Sequence, residues 1–263
     1  MNVLRVLRYA ALSGYHDYAT IYTWKTWVAG WYVRVLAQVA FFALVGRLLG
    51  SDARVHYLLV GNAVMLAAIG GLFAVAGTTW ERRQGTLALL VASPSSPVVV
   101  FTGRSAWALT EGILSSVTVF FVAAPLFGFD LPWPRALLYV PLVALVAASS
   151  YTLGTFLGGL VLRAMSTRNV VANITSGTIL AIGGVNVPLD FYPEPVQWLA
   201  HALPVTHGLE AIRDLLAGEA AAVILPNVAL ELLVGAAWLG LALATFNRLA
   251  EQGRRDGSIE FAA

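Results

Sequence analysis

The sequence predicts an all-α membrane protein that crosses the bilayer six times. Hydrophobic residues make up 59% of the 263 residues and charged residues only 11%, whereas soluble domains carry about 25% charged residues. The apolar residues are gathered into six runs, most of them long enough to cross a hydrocarbon core of about 30 Å as a helix. These two observations predict a single transmembrane domain over residues 1–263.

Residue usage excludes several kinds of chemical site. The chain has no cysteine, so thiolate metal sites, disulfides and cysteine nucleophiles cannot form. Lys25 is the only lysine, and it lacks the glycines that precede the lysine of a phosphate-binding loop. If ATP drives this protein, another polypeptide must hydrolyse it. His201 and His207 lack the spacing of a zinc hydrolase, and no catalytic, cofactor-binding or metal residue is predicted.

Residues 1–27 predict a helix that lies in the membrane interface. Basic and aromatic side chains alternate here with apolar ones at helical spacing, which is typical of interfacial helices. Trp24, Trp27 and Trp31 follow at the same spacing and belong at headgroup depth, where an indole is half hydrated. Simple anchoring in the membrane and contact with a partner subunit both remain open.

The six predicted spans follow in order, with arginines or turn residues between them. The Gly70-Gly71 pair in span two predicts close helix contact, and so do Gly154 and Gly158 in span four. Span five is short because Gly183-Gly184 and Pro188 interrupt it. The predicted spans are residues 33–49, 56–78, 106–127, 136–160, 170–187 and 222–246.

The stretch between spans two and three predicts a short amphipathic helix over residues 80–94. Thr78 and Glu81 have the spacing of a capping box, which begins a helix. Leu87 and Leu90 fall on one helical face, and Pro94 ends the helix. The alternative is a surface loop that lies on the membrane.

This stretch resembles the loop between the second and third spans of type-2 ABC transporter permeases. That loop typically reads acidic-Arg-x-x-Gly-Thr-Leu-x-x-Leu-x-x-Ser/Thr-Pro, and the run from Glu81 to Pro94 follows the pattern. In the family this loop is the coupling helix, which docks in a groove of a separate ATPase subunit. The resemblance implies that the ATPase subunit is contacted by Glu81, Arg82, Arg83, Gly85, Thr86, Leu87, Leu90 and Pro94.

A second resemblance lies before the last span. Residues 203–218 are similar to the family's Pro-x-Thr-x-x-x-Glu-x-x-Arg segment, and prolines cut the polar stretch around them into two short helices. The resemblance implies a re-entrant helical hairpin at the outer face over residues 191–218. It also implies two permease copies, or this chain with a sister permease, and two ATPase subunits that hold ATP and Mg²⁺.

The distribution of arginine predicts the orientation. Six spans place both termini on one side of the membrane, and 12 of the 16 lysine and arginine residues lie on that side. The positive-inside rule makes it the cytosol. We therefore expect a multi-pass protein of the bacterial cytoplasmic membrane with both termini cytosolic, and no contact with nucleic acid.

Two carboxylates lie within predicted spans, Glu111 in span three and Glu231 in span six. A charge at this depth costs a few kcal/mol, so each should face a partner, a cavity or an interface, or else be protonated. Arg104 lies at the inner end of span three. These three residues are candidates for gating, for example through a pair between Glu111 and a cytosol-side arginine, and a static ion pair is the alternative.

The leading functional prediction is the permease subunit of an ABC exporter, of the drug- and antibiotic-efflux-like branch. Glycan exporters of the family usually carry a strongly basic segment before span one, and this chain has little of it. The expected cargo is therefore a hydrophobic small molecule, antibiotic or lipid, and a polysaccharide or teichoic-acid-type glycan is the alternative. An ion-coupled secondary transporter that uses Glu111 and Glu231 is a further alternative.

Overall fold

The computed structural model describes residues 3–21, 23–75, 97–162 and 164–255. Within these ranges every regular element is a helix, which confirms the all-α prediction. The helices, in chain order, are α1 (Val3–Ile21), α2 (Trp24–Leu48), α3 (Asp52–Leu72), α4 (Pro97–Leu126), α5 (Tyr139–Val161), α6 (Arg168–Ile182), α7 (Glu194–Ala202), α8 (Thr206–Ala217) and α9 (Ala221–Arg255).

Five helical segments of the described chain are long and apolar enough to cross a membrane. They begin near the predicted starts of spans two, three, four and six, but the first begins earlier than predicted. Thr23 and Thr26 form a capping box, so a new helix starts at Trp24 and the tryptophans predicted for the interface belong to it. The segments are Trp24–Leu48, Asp52–Leu72, Thr102–Leu126, Arg135–Val161 and Ala221–Leu249.

The predicted fifth span corresponds to α6, whose 15 residues extend only about 22 Å at helical rise. The helices before and after it show which way the chain runs. Ser149 of α5 contacts Glu231 of α9, and three residues further along Thr152 bonds to the carbonyl of Gly235. Because α5 and α9 therefore run in the same direction, the chain must return across the bundle between them, through α6 and the residues that follow it.

Helix α3 is the centre of the bundle, and two neighbouring glycines allow other helices to approach it closely. A Cβ at Gly70 would lie 2.7 Å from the carbonyl oxygen of Ala108 in α4, and one at Gly71 would lie 2.4 Å from that of Ala147 in α5. A Cβ at Gly154 of α5 would lie 3.0 Å from the Cα of Leu72. These contacts confirm the close packing predicted at Gly70, Gly71 and Gly154.

Helices α7 and α8 form a hairpin between α6 and α9. The backbone turns sharply between them at Val205, which has a φ of 90°, a conformation that β-branched residues rarely adopt. Gly218 ends α8 in the left-handed conformation, as is common for glycine at this position. We call the end of the bundle that holds Tyr57 and this hairpin the outer end, and the opposite end the inner end.

Candidate functional site

The residues expected to contact an ATPase lie outside the described part of the chain, which omits residues 76–96. They are Glu81, Arg82, Arg83, Gly85, Thr86, Leu87, Leu90 and Pro94. The helices on either side of this segment are described: α3 precedes it, and α4 follows it from Pro97. Both of these helix ends lie at the inner end of the bundle.

A cavity of about 460 Å³ opens beside these helix ends, and we call it the inner cavity. It lies between α1, α2, α3, α4 and the first residues of α6. Its wall combines aromatic rings with charged and amide groups. The aromatic lining residues are Tyr18, Trp27, Trp31, Phe73 and Trp107, and the polar ones include Asp17, Arg34, Gln38, Arg104, Glu111, Arg168 and Asn169.

Arg104 links α4 to α1, the helix predicted to lie in the membrane interface. Its guanidinium forms an ion pair with Asp17 at 2.5 Å and donates a hydrogen bond to the hydroxyl of Ser13 at 3.0 Å. Next to this pair, the rings of Tyr18 and Trp107 are stacked with their centroids 3.9 Å apart. Helix α1 is thus attached to the inner part of span three, the helix that follows the predicted coupling segment in the chain.

Asp17 is a site residue that the sequence analysis did not single out. A signal was present, because Asp17 is the only carboxylate in the first 51 residues and lies in a helix whose other charged residues are Arg5 and Arg8. A lone acid in such a helix indicates a partner of opposite charge. Its partner is 87 residues away in the sequence, and local spacing could not identify it.

Glu111 is held by hydrogen bonds between spans one and three. Its carboxylate accepts a hydrogen bond from Ser115 at 3.3 Å and another from the indole of Trp27. The indole of Trp31 donates to the same Ser115 hydroxyl at 3.3 Å. Arg34 lies over the Trp31 ring at 4.5 Å and attracts Glu111 electrostatically. The arginine near Glu111 is therefore Arg34 on span one, and the role of Glu111 in gating stays a prediction.

A polar face extends from the inner cavity along the surface of α2 and α6, and it consists of Arg34, Gln38, Asn169 and Asn173. Three of these four side chains are exposed and Gln38 is partly so. Exposed amide and guanidinium groups on membrane helices are costly in lipid. This face is therefore suited to contact water or another protein subunit.

Glu231 is fully buried and binds the hairpin. One carboxylate oxygen accepts the backbone N–H of Val205 and the other that of Gly208, both at 3.0 Å, and the hydroxyl of Ser149 donates a third, short hydrogen bond. Carboxylates are favourable at helix N-termini because free N–H groups point toward them. The partner of this intramembrane charge is therefore the first turn of α8.

The outer end carries a cluster of titratable side chains. The rings of His201 and His207 are stacked 4.9 Å apart. Burial lowers the pKa of His207, and the neighbouring His201 lowers it further. Burial also raises the pKa of Glu210. Within the described ranges no three acidic or histidine side chains are placed to hold a metal ion.

A comparison with known families gives the context for these sites. The sequence profile described as ABC-2 type transporter matches residues 17–217. The chain belongs to the ABC-2 type transporter family. It is therefore a membrane-embedded permease subunit that is not itself catalytic. The prediction of an ABC-2 permease is confirmed.

Curated relatives of this ABC-2 permease include three proteins named Nodulation protein J. The protein from Sinorhizobium fredii (strain NBRC 101917 / NGR234) is 24% identical over 78% of this chain and 84% of its own length. The protein from Neorhizobium galegae is 26% identical over 87% of this chain and 93% of its own length. The protein from Rhizobium leguminosarum bv. trifolii is 25% identical over 73% and 82% respectively.

Proposed function

We propose that this ABC-2 permease forms an exporter with separate ATPase subunits in the bacterial cytoplasmic membrane. Two permease copies, or this chain and a sister permease, enclose the pathway, and two ATPase subunits bind ATP and Mg²⁺. Residues 80–94 form the coupling helix, which the ATPase subunits bind. The family supports this assembly, and so does the position of the segment between α3 and α4 at the inner end.

In this proposal the inner end faces the cytosol. The excess of arginine on that side supports the orientation, and the bundle agrees with it. Helix α1 and the last residues of α9 lie at the same end, since Gly159 near the inner end of α5 packs against Phe246 of α9. Both termini are then cytosolic, on the side where ATP is available.

The cargo that the geometry supports best is an amphipathic molecule, such as a lipid or a hydrophobic antibiotic with a polar group. The observation that carries this proposal is the inner cavity, because one wall stacks aromatic rings and another presents Arg34, Gln38 and Asn169. Binding sites for such molecules are largely apolar with a few polar groups that fix orientation. ATP binding stabilises one conformation of the ATPase subunits and so shifts the complex toward it. The resulting motion of α3 and α4 moves the cargo from this cavity to the outer side.

A glycan-bearing cargo is the second candidate, and the polar face favours it. Asn169 and Asn173 present amide groups one helical turn apart on the exposed side of α6. An amide both donates and accepts hydrogen bonds, which suits the hydroxyl groups of a saccharide. The face would serve this cargo if it lines the space between two permease copies.

The test is ATP hydrolysis by the purified complex in lipid vesicles, measured with a panel of lipids, hydrophobic antibiotics and short saccharides. We expect the permease to copurify with an ATPase subunit and one class of compound to stimulate hydrolysis. Asn173→Leu should reduce stimulation by a saccharide but not by an apolar compound, whereas the neighbouring exposed Ile174→Leu should change neither. A permease that never associates with an ATPase would contradict the proposal.

A further inference from the structure

Arg213 of α8 joins three elements at the outer end. Its guanidinium donates to the carbonyl of Gly184 at 2.9 Å, to that of Val185 at 3.3 Å and to that of Tyr57 at 3.2 Å. It also lies 3.4 Å from the centre of the Tyr57 ring. A planar guanidinium with five N–H donors can bind several acceptors in fixed directions, which the single ammonium of lysine cannot do.

The carbonyls that Arg213 binds belong to a tight seam between α3 and the residues after α6. The hydroxyl of Tyr57 donates to the Gly184 carbonyl at 2.6 Å, and the amide of Asn62 donates to Asn186 at 2.9 Å. A Cβ at Gly61 would lie only 2.2 Å from the carbonyl oxygen of Val185. The two backbones are therefore in contact. The carbonyls of Gly184 and Val185, which follow the end of α6, accept hydrogen bonds from side chains across the seam.

We infer that Arg213 is a positioning residue that makes α3 and the outer end of α6 move as one body during transport. Helix α3 leads into the predicted coupling segment, and α6 carries Asn169 and Asn173 of the polar face. A displacement that the ATPase imposes on α3 is then transferred to α6 through the seam. This inference rests on the proposed function for the source of the motion, but the link itself is a property of the permease alone.

The seam resists opening because its hydrogen bonds are partly buried. Arg213 is partly buried, and breaking its contacts would take one donor from each of three carbonyls, of which that of Gly184 keeps the Tyr57 hydroxyl, in an environment where an unsatisfied group is costly. A gate that opened here would also separate the Tyr57 hydroxyl from the Gly184 carbonyl, so the carbonyls of Gly184 and Val185 would need new donors. We therefore expect the seam to stay closed in every state of the transport cycle.

The experiment uses the absence of cysteine in the chain. Asn62→Cys and Asn186→Cys place the only two thiols on opposite sides of the seam, and a short bis-methanethiosulfonate reagent links them in the purified permease without nucleotide. We expect rapid linking with native Arg213. With Arg213→Gln the rate of linking should be at least about tenfold lower, which corresponds to a free-energy difference of about 1.4 kcal/mol. Arg213→Lys should give an intermediate rate of linking. It replaces Arg213→Gln as the test variant if the glutamine variant does not fold.

Arg135→Gln is the matched control. Arg135 also donates to two backbone carbonyls near the hairpin, those of Gly218 and Glu219, but it does not contact the seam. Its replacement should leave the rate of linking within about twofold of the native rate, a change of less than ~0.5 kcal/mol. Linking at the native rate in both Arg213→Gln and Arg213→Lys would overturn the inference.

A second arm measures linking in the complex with the ATPase subunit, in ADP and in a non-hydrolysable ATP analogue. We expect the same yield in both, because the seam moves as a unit. A lower yield with the analogue would show that the seam opens and would overturn the inference. If no ATPase subunit binds, the proposed function fails, and the first arm alone decides the role of Arg213.

Discussion

Replacing Glu231 by glutamine tests whether the hairpin is held by a buried carboxylate. Glu231 lies in α9, and its two oxygens accept the N–H groups of Val205 and Gly208 at 3.0 Å. Glutamine has nearly the same shape but only one acceptor oxygen. Its NH₂ group would face the second N–H, so one hydrogen bond is lost and one buried backbone donor has no acceptor.

The expected loss of stability follows from these contacts. A hydrogen bond to a charged group contributes about 1.5–3 kcal/mol, and an unsatisfied buried donor costs about 1–3 kcal/mol. Because the two effects overlap, we expect Glu231→Gln to lower the free energy of unfolding by about 2–4 kcal/mol. For a chain of this size that corresponds to a decrease in Tm of roughly 5–15 °C.

The assay is thermal unfolding of the purified permease in detergent, with Glu251→Gln as the control. Glu251 lies further along the same helix and is exposed, so its replacement should change Tm by less than about 2 °C. A Glu231→Gln variant as stable as the control would refute the reasoning. It would show that a neutral group satisfies the same donors and that the carboxylate does not hold the hairpin.

Three further predictions concern packing, pH and transport. Gly71→Ala should destabilise the protein by about 1–3 kcal/mol in the same unfolding assay, whereas Gly240→Ala, where the added methyl meets no atom within 4 Å, should not; equal effects would contradict the close packing of α3 on α5. Because burial lowers the pKa of His207 below its ordinary 6.5, the unfolded state binds more protons below about pH 6.5, and stability should fall there by up to about 1.4 kcal/mol per pH unit. His207→Gln should flatten this dependence in Tm measured from pH 7.5 to 5, and an unchanged slope would contradict it. The raised pKa of Glu210 makes the protein more stable as the pH falls, and this opposite dependence should become visible in the His207→Gln variant. If the charge of Glu111 takes part in gating, Glu111→Gln should reduce cargo-stimulated ATP hydrolysis by about tenfold, which corresponds to ~1.4 kcal/mol. Unchanged stimulation of hydrolysis would contradict that role.

Local sequence patterns predicted the helices and several of their contacts. Prolines and glycines divided the stretch before the last span, and the two hairpin helices, Glu194–Ala202 and Thr206–Ala217, lie within the expected residues 191–218. The Gly70-Gly71 pair indicated close packing because only a residue without a side chain permits backbone contact. These features depend on residues that are near one another in the sequence.

The long-range partners could not be predicted from such patterns. Asp17 and Arg104 are 87 residues apart, and nothing in either local sequence specifies the other. Glu231 was expected to face a partner, a cavity or an interface, but the partner could not be named, because it consists of backbone N–H groups, which have no signature in the side-chain sequence. Arg213 is the arginine of the Pro-x-Thr-x-x-x-Glu-x-x-Arg segment, but the backbone carbonyls that it binds could not be predicted, for the same reason.

The central claim is that residues 80–94 transmit motion from an ATPase subunit to this permease, and thiol cross-linking tests it most directly. Leu90→Cys is introduced into the chain, which has no other cysteine, and a thiol-to-amine cross-linker is applied to cytosol-facing membranes that contain the ATPase subunit. The claim predicts a covalent product of permease and ATPase that is absent for Leu233→Cys, an exposed position in the membrane part of α9. A cysteine at position 90 that never links to the ATPase, or that reacts only from the opposite side of the membrane, would contradict it.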